Sequence, residues 1–169
     1  MIQIRQNVFE TNSSSSHSMC ICSKEGDCID TERVVDLLNG NGTWKVDPVK
    51  NIYERYPCRL LETFSEKVLY VLGLVECTRP EKNLLEELTK IVAKYIPQFT
   101  GFEAIDGSFG YTQNYGFDKW LEKNNISLED FLTKSKYFAV ADGDEYCIFS
   151  DIEECGLLSK DVKTTISYS

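Results

Sequence analysis

A chain of 169 residues with 42% hydrophobic and 12% aromatic residues has the length and composition of one globular domain, expected to span 1–169, and excludes a disordered chain. At this size folding hides roughly 70% of the surface that the unfolded chain exposes, so no metal or disulfide staple is required. The net charge of −9, from 27 acidic and 18 basic residues with the bases scattered, disfavours direct nucleic-acid binding, which needs Lys and Arg gathered on one face.

The seven cysteines are odd in number, and the opening MIQIRQNVF lacks a signal-peptide pattern. Free thiols in a reducing cytosol are therefore expected. The longest apolar run, Val68–Val75, is far short of a membrane helix, so no membrane partner is expected. Three glycosylation sequons, at Asn12, Asn41 and Asn125, need a secretory route that this reading does not provide.

In chain order, Ile2–Arg5 reads as a short strand and Glu10–Ser16 as a polar loop. Ser18–Ser23 alternates Met19 and Ile21 against Cys20 and Cys22, which predicts a second strand. Asp30 or Thr31 can cap a helix over Glu32–Leu38, ended by the turn-forming Asn39-Gly40-Asn41-Gly42. Thr43–Val46 follows as a strand stopped by Asp47-Pro48.

The middle reads as helical. Arg59–Glu76 spaces Leu60, Leu61, Phe64, Val68, Val71, Leu72 and Val75 by three and four residues, predicting one amphipathic helix. A second begins at Thr78-Arg79-Pro80-Glu81, carries Leu84, Leu85, Leu88, Ile91, Val92 and Tyr95, and ends at Pro97. The two form an αα-hairpin whose stripes core packing explains fully.

Phe102–Ile105 reads as a strand, Gly107–Gly116 as a glycine- and aromatic-rich loop, and Phe117–Lys123 and Leu128–Lys134 as short helices. Ser127 and Asp130 have capping-box spacing at the start of the last helix. Tyr137–Ala141 and Glu145–Phe149 flank the hairpin turn Asp142-Gly143-Asp144, and Val162–Tyr168 fits an edge strand. The fold class that follows is α+β, a mixed or antiparallel sheet packed against the αα-hairpin and short helices.

Four places offer chemistry. The run Asn12, Ser13, Ser14, Ser15, Ser16 and His17, holding the one histidine of the chain, brings hydroxyls, an imidazole and free backbone N–H groups together as an anion-binding nest would. A turn-forming connector is the commoner reading of such a serine run. The loop with Tyr111, Gln113 and Tyr115, flanked by Asp106, Phe109 and Asn114, offers amide recognition and flat stacking surfaces, or simply covers the core. Asp142-Gly143-Asp144-Glu145 lacks the ligand pattern of a calcium loop, and the hairpin turn is preferred. Cys20-x-Cys22 with Cys28 puts thiols on one strand face, but too few ligands accompany them to name a metal site. No cofactor, metal or catalytic residue is assigned.

The stretch Val8-Phe9-Glu10-Thr11-Asn12-Ser13-Ser14-Ser15-Ser16-His17-Ser18 resembles the opening of a group of largely uncharacterised proteins encoded by phages and prophages of Gram-positive bacteria. They begin with a short strand, then Glu-Thr-Asn, a serine run and histidine. The resemblance covers these eleven residues and implies a phage-related origin, without an activity or catalytic residues to carry over. By analogy with small acidic phage proteins, including anti-CRISPR proteins that occupy the basic channel of an effector nuclease, it leads to one expectation. The chain is expected to be an acidic interaction protein of the bacterial host cytoplasm, inhibiting a defence system by stoichiometric binding to a bacterial protein such as a nucleic-acid-processing effector. The alternative is a nucleotide- or phosphate-binding protein or enzyme built on the serine-rich loop and His17.

Overall fold

In the computed structural model the described residues are 16–22, 24–46, 59–74, 84–104 and 117–142. They form β1 (Ser16–Ile21), α1 (Thr31–Leu37), β2 (Thr43–Val46), β3 (Arg59–Leu61), α2 (Phe64–Leu74), α3 (Leu84–Tyr95), β4 (Gly101–Ala104), α4 (Phe117–Asn124), α5 (Leu128–Thr133) and β5 (Tyr137–Asp142). The class is α+β. The strands at Ile2–Arg5, Glu145–Phe149 and Val162–Tyr168, the turn residues after Asp142, the helix start at Thr78–Glu81 and the Gly107–Gly116 loop fall outside the described residues.

The larger sheet is antiparallel with strand order β1-β5-β3. Met19 and Leu61 both pair with Ala139, so one row of side chains crosses all three strands on the core face. Each of the three is at least 98% buried, as the covered face of a sheet requires. Helices α2 and α5 lie against β5 and against each other. A second, smaller pair joins β2 to β4 in parallel, with Trp44 beside Phe102 and Lys45 beside Glu103. Trp44 and Val46 are buried while Lys45 is exposed, the period of two expected from the sequence.

The entry to β2 follows from its turn residues. Asn39 Oδ1 accepts from the Thr43 N–H at 2.9 Å and from the Asn41 N–H at 3.2 Å, the short-range bonding that makes asparagine a turn former. Gly42 has φ +83°, and a Cβ there would collide with the Gln98 carbonyl oxygen. The close approach is what lets the Gly42 carbonyl accept from the Thr100 N–H at 2.9 Å and set the register of β4 on β2.

One expected element divides in two. Arg59–Glu76 is not a single helix: Arg59–Leu61 is the third strand of the sheet, and the helix runs from Phe64 to Leu74. Leu60, Leu61 and Phe64 satisfy a helical spacing, but an apolar run so short fits a strand as well. Thr63 decides the boundary. Its Oγ1 lies 3.4 Å from the Glu66 N–H, while Glu66 Oε2 accepts from the N–H groups of Thr63 and Glu62 at 3.1 and 3.2 Å. This reciprocal capping box satisfies donors that a helix N-terminus otherwise leaves open. Ser16, expected in the preceding loop, is the first residue of β1.

The remaining helices follow their apolar spacing. In α3, Leu84, Leu88, Ile91 and Val92 are buried, and Ile96 and Phe99 continue the stripe into β4. In α4 the buried face is Phe117, Trp120 and Leu121. Ser127 caps α5 as expected, its Oγ accepting from the Asp130 N–H at 3.0 Å. Phe131 of α5 is an aromatic centre, with the rings of Phe117, Tyr70 and Trp120 at 5.2, 6.5 and 6.1 Å.

Removing so central a ring leaves a cavity that the surrounding aromatics fill only in part. Phe131→Ala is expected to cost about 3–5 kcal/mol, whereas Leu37→Ala, on the exposed side of α1, is expected to change stability by less than about 0.5 kcal/mol. Urea denaturation of the two variants checks the contrast.

Candidate functional site

The most unusual local chemistry is a polar seam where residues 27–30 meet α2 and α5. Lys67, on α2, is fully buried. A lysine taken out of water must find oxygen or sulfur partners or shed its charge. Its Nζ lies 2.9 Å from the Lys134 carbonyl oxygen, which it reaches as a donor, and 3.1 Å from Cys28 Sγ. It also sits over the Phe131 ring, 5.8 Å from the centroid. Lys134 is the C-cap of α5, so the buried amine meets the carbonyl-rich end of a helix, which offers acceptors to a donor.

Cys28 is bonded through every polar group it has. Its N–H donates to the Thr133 carbonyl at 2.8 Å, its carbonyl accepts from the Phe64 N–H at 2.9 Å, and its Sγ lies 3.2 Å from the Leu132 carbonyl. One residue thus joins the end of α5 to the beginning of α2. Two positions on, the Asp30 carboxylate accepts from the Ser65 N–H at 2.8 Å and from Ser65 Oγ at 2.5 Å. Asp30 is the N-cap residue of α1, but its side chain makes no capping bond there. It caps α2 instead. The expectation that the Asp30 side chain caps α1 is thus corrected: the donors it serves belong to a helix distant in sequence.

The electrostatics follow from burial. Desolvation pushes the Lys67 amine below its ordinary 10.5, with the nearby Cys28, Glu62 and Cys22 opposing the shift. On the rim, Lys134 reaches Asp27 at 2.8 Å and Lys24 reaches Glu62 at 2.5 Å. These are solvent-exposed pairs worth little individually. Further along α3 and α5, Glu129 accepts from Lys94 at 2.6 Å and Tyr95 Oη at 2.5 Å. Lys94 and Tyr95 hold the Glu129 carboxyl below its usual range, and the same hydrogen bond raises the Tyr95 phenol.

The sequence-predicted site residues are not brought together within the described structure. Asn12, Ser13, Ser14 and Ser15 fall outside it, as do Tyr111, Gln113 and Tyr115. Ser16 and His17 are placed by their backbones, on β1 opposite Asp142 and Ala141 of β5. Of the expected thiol group, Cys22 and Cys28 are free cysteines, each half-buried. Among the described residues no group of three His, Cys, Asp or Glu side chains is arranged to hold a metal ion, and no helix is long and apolar enough to cross a membrane. The Lys67–Cys28 pair was missed by sequence reasoning. The spacing of Phe64, Val68, Val71 and Leu72 puts Lys67 at the margin of their stripe, and nothing local distinguishes it from a solvated lysine.

The chain matches no known family model, no curated protein and no solved structure.

Two outcomes are expected. Asp30→Ala leaves the Ser65 N–H without its acceptor and should cost about 1–3 kcal/mol in chemical denaturation. For Lys67, the fold holds fewer protons than the unfolded chain between the lowered native value and 10.5, so its contribution grows as pH rises through that window and is lost as pH falls through it. The stability of the wild-type chain relative to Lys67→Met, followed by urea denaturation, should therefore rise as pH increases toward 10.5.

Proposed function

We propose that this chain is a phage-derived acidic interaction protein that acts in the cytoplasm of a bacterial host by stoichiometric binding to a protein of a defence system, in the manner of an anti-CRISPR protein. The observation that carries the reading is charge. The chain has a net charge of −9, and α1 displays Glu32 and Asp36, both exposed and four residues apart. Neither has an ion-pair partner among the described residues. Like charges at that spacing slightly destabilise their own helix. They are relieved by a cationic partner, such as a basic groove built to hold a nucleic acid. Leu37, 44% exposed on the same short helix, adds an apolar contact beside them. The resemblance of residues 8–18 to phage and prophage proteins supports the origin.

The test is a titration of purified chain against an RNA-guided effector nuclease, with target cleavage and complex formation as readouts. Inhibition is expected to be complete near one equivalent and to weaken as salt rises. Glu32→Lys combined with Asp36→Lys should reduce affinity at least about tenfold, equivalent to about 1.4 kcal/mol. Ser14→Ala with His17→Ala should leave inhibition unchanged. Failure to associate with the effector at low salt overturns the proposal. So does inhibition by catalytic amounts that disappears with His17→Ala, which is the behaviour expected of the nucleotide- or phosphate-directed alternative.

A further inference from the structure

Lysine and cysteine are both nucleophiles, and the fold holds one of each in contact without an acid or base between them. Lys67 Nζ and Cys28 Sγ are 3.1 Å apart. The amine is fully buried and anchored to the Lys134 carbonyl, while Cys28 is half-buried. The two residues come from different parts of the chain, 39 positions apart, and both are fixed by helix-end hydrogen bonds that leave little freedom to separate.

We propose that Cys28 and Lys67 form an oxidant-triggered covalent switch in which peroxide converts the contact into a sulfur–nitrogen bond. In the first step the thiol attacks one peroxide oxygen, the O–O bond breaks, and Cys28 becomes a sulfenic acid with release of water; sulfur loses two electrons and the peroxide gains them. In the second step the Lys67 nitrogen lone pair attacks Sγ, the S–O bond breaks, and the hydroxyl leaves as a second water after taking a proton from nitrogen. The sum is one thiol, one amine and one hydrogen peroxide giving one sulfenamide and two waters. Sulfenic acids condense in this way with a neighbouring thiol or backbone nitrogen. Here the neighbour is a side-chain amine already at hydrogen-bond distance from the sulfur.

Two features of the site favour the second step. Burial favours the uncharged amine, the form that carries the lone pair. The Lys134 carbonyl accepts from Nζ at 2.9 Å and orients the nitrogen throughout. A small thiol reductant reverses the link by attacking sulfur and returning the amine.

The experiment treats the full-length chain with hydrogen peroxide, digests it and maps the products by mass spectrometry. The expected product joins the peptides carrying residues 28 and 67 with a loss of about 2 Da relative to their sum, and it disappears on treatment with dithiothreitol. A Cys22→Ser chain should give the same link, since the neighbouring thiol takes no part. In Lys67→Arg the link should be absent, and Cys28 should instead be labelled by dimedone, a trap for sulfenic acid. Dimedone labelling of Cys28 in the wild-type chain without any link to Lys67, or a disulfide from Cys28 to another cysteine, overturns the proposal. If the Lys67 variant does not fold, the wild-type peptide map alone separates these outcomes.

Discussion

A lysine side chain that reaches no water constrains everything packed around it. The amine of Lys67 needs an acceptor at each direction in which it presents a hydrogen, and the interior of a small α+β domain supplies few. The Lys134 carbonyl at the end of α5 and the Cys28 sulfur are the two acceptors it reaches. Satisfying Lys67 therefore fixes the end of α5 over α2 and draws residues 27–30 into the corner between them. Cys28 and Asp30 then have defined tasks: one bonds through backbone and thiol to both helices, and the other caps α2 through Ser65. A substitution in this corner acts on several contacts at once, and buried polar networks are costly when half-satisfied.

The same corner explains the short helices. α5 has six residues, too few to be stable by itself in water. It is held by a serine cap at one end, a lysine from another helix at the other, and by Phe131 inserted among Tyr70, Phe117 and Trp120. Tertiary packing, more than intrinsic propensity, keeps it helical.

Much of this architecture was legible in the residues. Thr43–Val46, the asparagine–glycine turn, the Ser127 cap and the apolar stripe of α3 are dictated by local spacing and side-chain chemistry, and each stands where that chemistry puts it. The boundary between β3 and α2 was not legible. An apolar run as short as Leu60-Leu61 fits a strand as well as a helix, and the capping box at Thr63 and Glu66 was hidden inside an apparently continuous stripe. Nor was the polar corner. Asp30 looks like the cap of its own helix, and Lys67 looks solvated until Cys28 and Lys134 are brought to it. Ser13–His17 carry a strong local signal of composition, but what such groups do depends on which distant side chains face them, and that belongs to tertiary geometry.

The corner is woven from remote parts of the chain. Cys28 Sγ and the Leu132 carbonyl are 104 positions apart, and Lys67 Nζ and the Lys134 carbonyl 67. Closing such long loops precedes any reward from the contacts they bring. The helices with their own caps can flicker into shape early, while the seam waits for both ends of the described chain to meet. A ribosome releases the Cys28 segment long before Phe131 and Lys134 emerge, so during synthesis this thiol spends its time without the partners that later enclose it.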